Sequence, residues 1–244
     1  DVLLTTVGGA LRLGEGGTVA GANARPDLTV NGPLGAQFLA WEYATAVAGH
    51  LLKINPFDQP NVSESKQNTA AILAAPTTPD AAVAPEPIPL LETEHCELYG
   101  DSELFGQARS TSSAIAALIG SADRHGYIAV LAYLDRIGDA AAAELRTLLA
   151  RRTSRPVTFG WGPRFLHSTG QYHKGGPANG AFLQLTGAVE TDLAVPGKPY
   201  GFAALQAAQA AGDRAALTGR GMPLLRIHLR NRQPGIDELL KAAR

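Results

Sequence analysis

Between positions 34 and 52 the apolar residues Phe38, Leu39, Trp41, Ala44, Ala48, Leu51 and Leu52 recur every three or four places. That period predicts an amphipathic helix with one broad buried face. The Asn55-Pro56 pair stops it, because the residue before a proline is pushed out of helical geometry. Residues 62–73 predict a second helix, with Asn61 or Ser63 as its N-cap. Upstream, short apolar runs between paired glycines in 1–19 predict one strand and a tight turn, and 27–33 a short extended segment.

The pattern then lapses. Residues 74–89 are Ala-, Pro- and Thr-rich without a period, as a linker is, and they separate a portion 1–73 from a portion 90–244. In the second portion helical and strand periods alternate. Helices are predicted at 112–122, 140–152, 202–211, 214–217 and 236–243, and strands at 127–134, 156–161, 181–186 and 224–229. The run 127–134 is almost continuously apolar, as parallel strands covered on both faces are. The expected class is α/β, a three-layer αβα sandwich with a mostly parallel sheet.

Composition narrows the function classes. The 244 residues are 45% hydrophobic and 18% charged, the proportions of a globular chain with a real core. The formal net charge is −1, so no overall field draws the chain to nucleic acid or to a membrane surface. No apolar run reaches the roughly 20 residues of a membrane span. One cysteine, Cys96, excludes an internal disulfide and fits a reducing, cytoplasmic setting. The start at Asp1 reads as mid-domain sequence, and the only methionine is Met222, as expected of a piece of a longer polypeptide.

Two segments carry the candidate chemistry. The early one is Asn55-Pro56-Phe57-Asp58-Gln59-Pro60-Asn61-Val62, followed by Lys66. The late one is Leu166-His167-Ser168-Thr169-Gly170-Gln171-Tyr172, followed by Lys174-Gly175-Gly176. By residue type alone, a histidine in a glycine-rich loop reads as structural or merely exposed, and a helix lysine as solvated. His167 and His173 have no carboxylate pair nearby, so no metal site is expected. Neither a dinucleotide fingerprint nor a nucleophile elbow is present, and no cofactor is expected. Ser110, Thr111, Ser112 and Ser113 read as a helix cap, with a phosphate cradle as the alternative.

Taken whole, the two strings resemble the segments by which bacterial glucose-6-phosphate isomerases supply a ring-opening histidine and an active-site lysine. The resemblance implies a sugar-isomerase (SIS-like) domain that interconverts glucose 6-phosphate and fructose 6-phosphate through an enediolate. It makes His167 and Lys66 catalytic and Gln59 a substrate ligand. Gln171, Ser168, Arg164 and Lys174 become candidates for binding the sugar phosphate. In that chemistry the histidine moves protons between ring oxygen and C1 hydroxyl, and a fixed cation steadies the developing oxyanion.

Four departures stand out. Asn61 replaces the family's glycine, and Ser63 its glutamate. The lysine segment precedes the histidine segment, the reverse of the usual order. The family's acidic general-base segment has no counterpart, because its place reads Arg151-Arg152-Thr153-Ser154-Arg155, and neither Glu42 nor Glu15 is a convincing substitute.

The bifunctional transaldolase–glucose-6-phosphate isomerase fusions account for that order. The strings Trp41-Glu42-Tyr43-Ala44-Thr45-Ala46-Val47-Ala48-Gly49 and Gly162-Pro163-Arg164-Phe165-Leu166-His167 resemble theirs. The resemblance makes 1–73 the end of the main isomerase domain, 74–89 a linker and 90–244 an αβ extension. Its implied partners are a sugar phosphate and the upstream isomerase and transaldolase regions of the same polypeptide, which would hold the base. A non-catalytic sugar-phosphate-binding module and a docking domain for the transaldolase half are the alternatives.

Overall fold

The computed structural model describes residues 5–7, 28–58, 60–74 and 88–244. Glu15, Gln59 and the Ala/Pro-rich stretch 75–87 lie outside them. The chain divides into two units, Asp1–Asp58 and Gln59–Arg244.

In the first unit β1 (Thr5–Val7) pairs in parallel with β2 (Leu28–Val30), and α1 runs Leu34–Leu52, the predicted limits. Lys53 ends α1 in the left-handed conformation (φ 56°), its amide donating back to Gly49 and His50 carbonyls. The expected buried face is absent: Phe38, Trp41, Val47, Leu51 and Leu52 are all exposed, and of α1 only Gly49 is buried. The reason lies in the sequence itself. Apolar residues occupy every side of α1, and Glu42 and His50 are its only titratable side chains apart from Tyr43, so no polar face sets one side apart.

The second unit opens with α2 (Pro60–Ala74), then β3 (Leu91–Glu92), β4 (Cys96–Tyr99), α3 (Ser102–Phe105) and α4 (Thr111–Ser121). There follow β5 (Tyr127–Tyr133), a 3-10 turn Ala140–Glu144 leading into α5 (Leu145–Arg152), and β6 (Val157–Trp161). A 3-10 turn Arg164–Leu166, α6 (Ser168–Gly175), β7 (Gly180–Gly187), α7 (Phe202–Thr218), β8 (Leu224–Leu229) and α8 (Arg232–Ala242) complete it. The six strands form one sheet in the order β3-β4-β8-β7-β5-β6. Strands β8, β7, β5 and β6 are parallel, and β4 and β3 are added antiparallel.

Period-two alternation divides β5 between two cores. Ile128, Val130 and Ala132 face a cluster with Ile115 and Leu118 of α4, Leu145 and Leu149 of α5, and Ile236 and Leu239 of α8. Tyr127, Ala129, Leu131 and Tyr133 face a second cluster with Phe165 and with Ala210 and Leu217 of α7. Helices α2 and α6 pack with α7 on that second side. The result is a mixed α/β three-layer sandwich around a mostly parallel sheet. From β5 the chain leaves through α5 to β6 at the edge, then returns across β5 through α6 to β7. The histidine segment is therefore the crossover between β6 and β7, at the point where strand order reverses.

Two further predictions need correction. Residues 202–217 form one helix, where Gly212-Asp213 was expected to break it, and 168–175 form a helix where a glycine-rich loop was expected. Cys96 is fully buried, and burial together with the nearby Glu238 charge pushes its thiol up to about 12, so it is inert packing. Among the described residues no helix is long and apolar enough to cross a membrane.

Candidate active site

His167 occupies the N-cap position of α6, immediately after the 3-10 turn, and its side chain is exposed and makes no capping hydrogen bond. Its backbone is fixed on both sides: its amide donates to the Arg164 carbonyl (3.0 Å), and its carbonyl accepts from Gly170 (2.9 Å). Gly170 is required there, because a Cβ at that position would overlap the Phe165 carbonyl oxygen. Gly170→Ala is expected to destabilise the chain by about 1–3 kcal/mol, read as a lower urea midpoint, since the turn and the helix cannot part without opening the Phe165 core.

Beneath α6 lies a charged network that the sequence did not foretell. Lys174 is only 1% exposed; its ammonium pairs with the fully buried Asp213 carboxylate of α7 and donates to the Phe165 carbonyl. The Tyr133 hydroxyl of β5 donates to the same carboxylate, and its acidity is pushed well above the usual phenol range, chiefly by burial and then by the Asp213 charge. Lys174 and Asp213 together thus tie the turn before His167, the helix after it, α7 and the sheet. This corrects its expected role as a ligand for the sugar phosphate: the ammonium is consumed inside the protein.

His173 packs beside this network, stacked on Tyr127 and edge-on to Phe182, and shares a 2.7 Å hydrogen bond with the Tyr127 hydroxyl through Nδ1. Desolvation, then the Lys174 charge, lower it from 6.5 to about 4. A neutral imidazole in the fold that protonates at 6.5 once unfolded contributes its full stability above pH 6.5. That contribution drains away as pH falls toward 4 and amounts to roughly 3 kcal/mol. Unfolding free energy measured from pH 7 to pH 4 is expected to fall, and less steeply in His173→Phe.

The early segment reaches the same place. Helix α2 packs on α6, on α7 and on the 3-10 turn before His167. Gln171 Nε2 donates to Asn61 Oδ1 at 2.8 Å, and Val62 and Thr69 of α2 are buried. Lys66 lies on the same helix with its side chain exposed. The lysine-bearing and histidine-bearing helices are neighbours in one unit, joined by a direct side-chain bond between the two motifs.

The chain shares short stretches with glucose-6-phosphate isomerases. The enzyme of Exiguobacterium sibiricum is 46% identical over 57 residues, 21% of this chain and 13% of that protein. That of Mycoplasmopsis pulmonis is 52% identical over 40 residues, 16% of this chain and 9% of that protein. The matches therefore span about an eighth of those enzymes or less. No protein-family model matches. Among solved structures, a hypothetical protein from Thermus thermophilus aligns at TM-score 0.44 and 15% identity, over 55% of this chain and 36% of that one, too distant to carry an argument.

The remaining candidates divide. Ser168 and Arg164 are exposed beside His167. Gln171 is half-buried with its amide nitrogen spent on Asn61. The serine cluster is a cap, not a cradle: Ser110 Oγ accepts from the Ser113 amide (3.1 Å), Ser113 Oγ accepts from the Ser110 amide (3.0 Å), and Thr111 donates to Glu238 (2.6 Å). Among the described residues no group of three His, Cys, Asp or Glu side chains is placed to hold a metal ion.

Proposed function

We propose that this chain supplies the ring-opening histidine, His167, and the oxyanion-steadying lysine, Lys66, of a glucose-6-phosphate isomerase. The observation that carries the proposal is the 2.8 Å bond from Gln171 to Asn61, which holds the two motif helices together despite their reversed order in the chain. Ser168 and Arg164 flank the histidine as sugar-phosphate contacts, and the resemblance makes Gln59 of the lysine segment a further substrate ligand.

Among the described residues packed around α6 none stands free to act as the base. Of the elements meeting at His167, α2 and α7 carry one acid each, and α6 and the preceding turn none. Glu64 of α2 lies 3.7 Å from Arg220, and Asp213 of α7 is buried against Lys174. A further isomerase segment completes the site, as in a transaldolase–glucose-6-phosphate isomerase fusion, whose resemblance extends over both motifs. The exposed apolar side chains of α1 support the same reading, since a helix that is apolar all round belongs inside a larger body.

The test is a coupled fructose 6-phosphate assay on the purified 244-residue chain, alone and together with the remaining isomerase regions. The chain alone is expected to show little or no turnover. Robust turnover by the isolated chain would refute the divided site.

A further inference from the structure

Asn61 and Gln171 meet at a helix junction built for close approach. Gln171 follows His167 by four positions, about one helical turn along the chain. Asn61 precedes Lys66 by five positions, about a turn and a half of α2. A single side-chain bond therefore lies within two turns of both candidate catalytic groups. The last turn of α6 makes room for it: a Cβ on Gly175 would overlap both Asn61 Oδ1 and Gln171 Nε2. Gln171 is held from its own side as well, since Lys174, three positions on, is anchored to Asp213.

We infer that Asn61 and Gln171 form a positioning clasp, which sets the helix carrying Lys66 against the helix carrying His167. Resting on the isomerase reading, it assigns Gln171 to aligning the machinery instead of touching the sugar. It also gives Asn61 a task that a glycine cannot perform, because only a side-chain acceptor reaches Gln171. Without the bond α2 loses its side-chain tie to α6, which loosens the placement of the Lys66 helix relative to the His167 helix while substrate still binds.

The test compares Asn61→Asp, Asn61→Leu, Gln171→Leu and the Asn61→Leu/Gln171→Leu double variant with His167→Ala. All are made in the full polypeptide that carries this chain and assayed with glucose 6-phosphate. Asn61→Leu and Gln171→Leu are each expected to lower kcat about tenfold with KM changed less than about twofold, the scale of one half-buried amide hydrogen bond. The double variant is expected to lose no more than either single one, because both remove the same bond. Asn61→Asp keeps an acceptor for the Gln171 amide and is expected to retain kcat. Equal losses in Asn61→Asp and Asn61→Leu overturn the clasp. So does an unchanged kcat in Asn61→Leu beside an inactive His167→Ala, an outcome that leaves the isomerase reading standing. A fully active His167→Ala overturns the isomerase reading and the clasp with it.

Discussion

Lys174→Met is expected to lower the unfolding free energy of the chain by about 3–5 kcal/mol at neutral pH, the cost of leaving one charge of a buried pair without its partner. Asp213 is fully buried, so its carboxylate cannot turn to water. The Tyr133 hydroxyl still donates to it, but one neutral donor does not offset a full charge. The Phe165 carbonyl, in the turn just before His167, also loses its donor. Converting Asp213 to Asn in the same protein removes the stranded charge while keeping an acceptor for Tyr133. Lys174→Met/Asp213→Asn is therefore expected to be more stable than Lys174→Met alone, so that the two substitutions are strongly non-additive in a urea-denaturation cycle. If Lys174→Met costs under about 1 kcal/mol, the pair is solvated and the account of α6 as a pinned helix is wrong.

That network also shows where sequence reading stops. The apolar spacing of 34–52 and the Asn55-Pro56 stop were sufficient to delimit α1, and the unbroken apolar run of β5 revealed a strand covered on both faces. Local chemistry decides such features. The Gly212-Asp213 pair reads as a break because, taken locally, glycine and aspartate are poor helix formers. In the fold Asp213 is covered by Lys174 and Tyr133, partners from far upstream that no local window includes. The glycines of the histidine segment mislead in the same way. They suggest a loop, whereas Gly170 and Gly175 allow a helix to approach the Phe165 carbonyl and the Asn61 side chain.

The candidate site was legible for a different reason. His167 and Lys66 were picked out by strings of residue types, which carry chemistry irrespective of chain order. The packing of the helices that bear them depends on α2 crossing to the α6–α7 side of the sheet, which spacing alone does not encode. The exposure of α1 belongs with this lesson. Periodicity predicted that some face is buried, but a helix apolar on every side gives no direction in which to look for its cover.

His167→Ala in the full polypeptide is expected to cut turnover of glucose 6-phosphate by about 10²–10⁴-fold, the usual contribution of a positioned acid–base group. The loss has a signature. Glucose 6-phosphate is supplied mainly as the cyclic sugar, and on the proposed reading the histidine's task precedes the C2 proton transfer. Open-chain substrate released within the assay should therefore still exchange its C2 proton with solvent in His167→Ala at a rate closer to that of the unaltered enzyme. On the proposed reading Lys66→Met acts on the later step, where the ammonium would face the developing oxyanion, and removing such a group costs about 10²–10³-fold. In that variant cyclic and open-chain substrates should lose rate equally. His167 is exposed and caps α6 without a side-chain bond, so its replacement leaves the fold intact, and unfolding midpoints should match the unaltered chain. If His167→Ala slows C2 exchange as much as ring opening, the imidazole acts on the proton transfer itself. The two helices would then have to be reassigned, with the histidine as the base that no other side chain at this junction supplies.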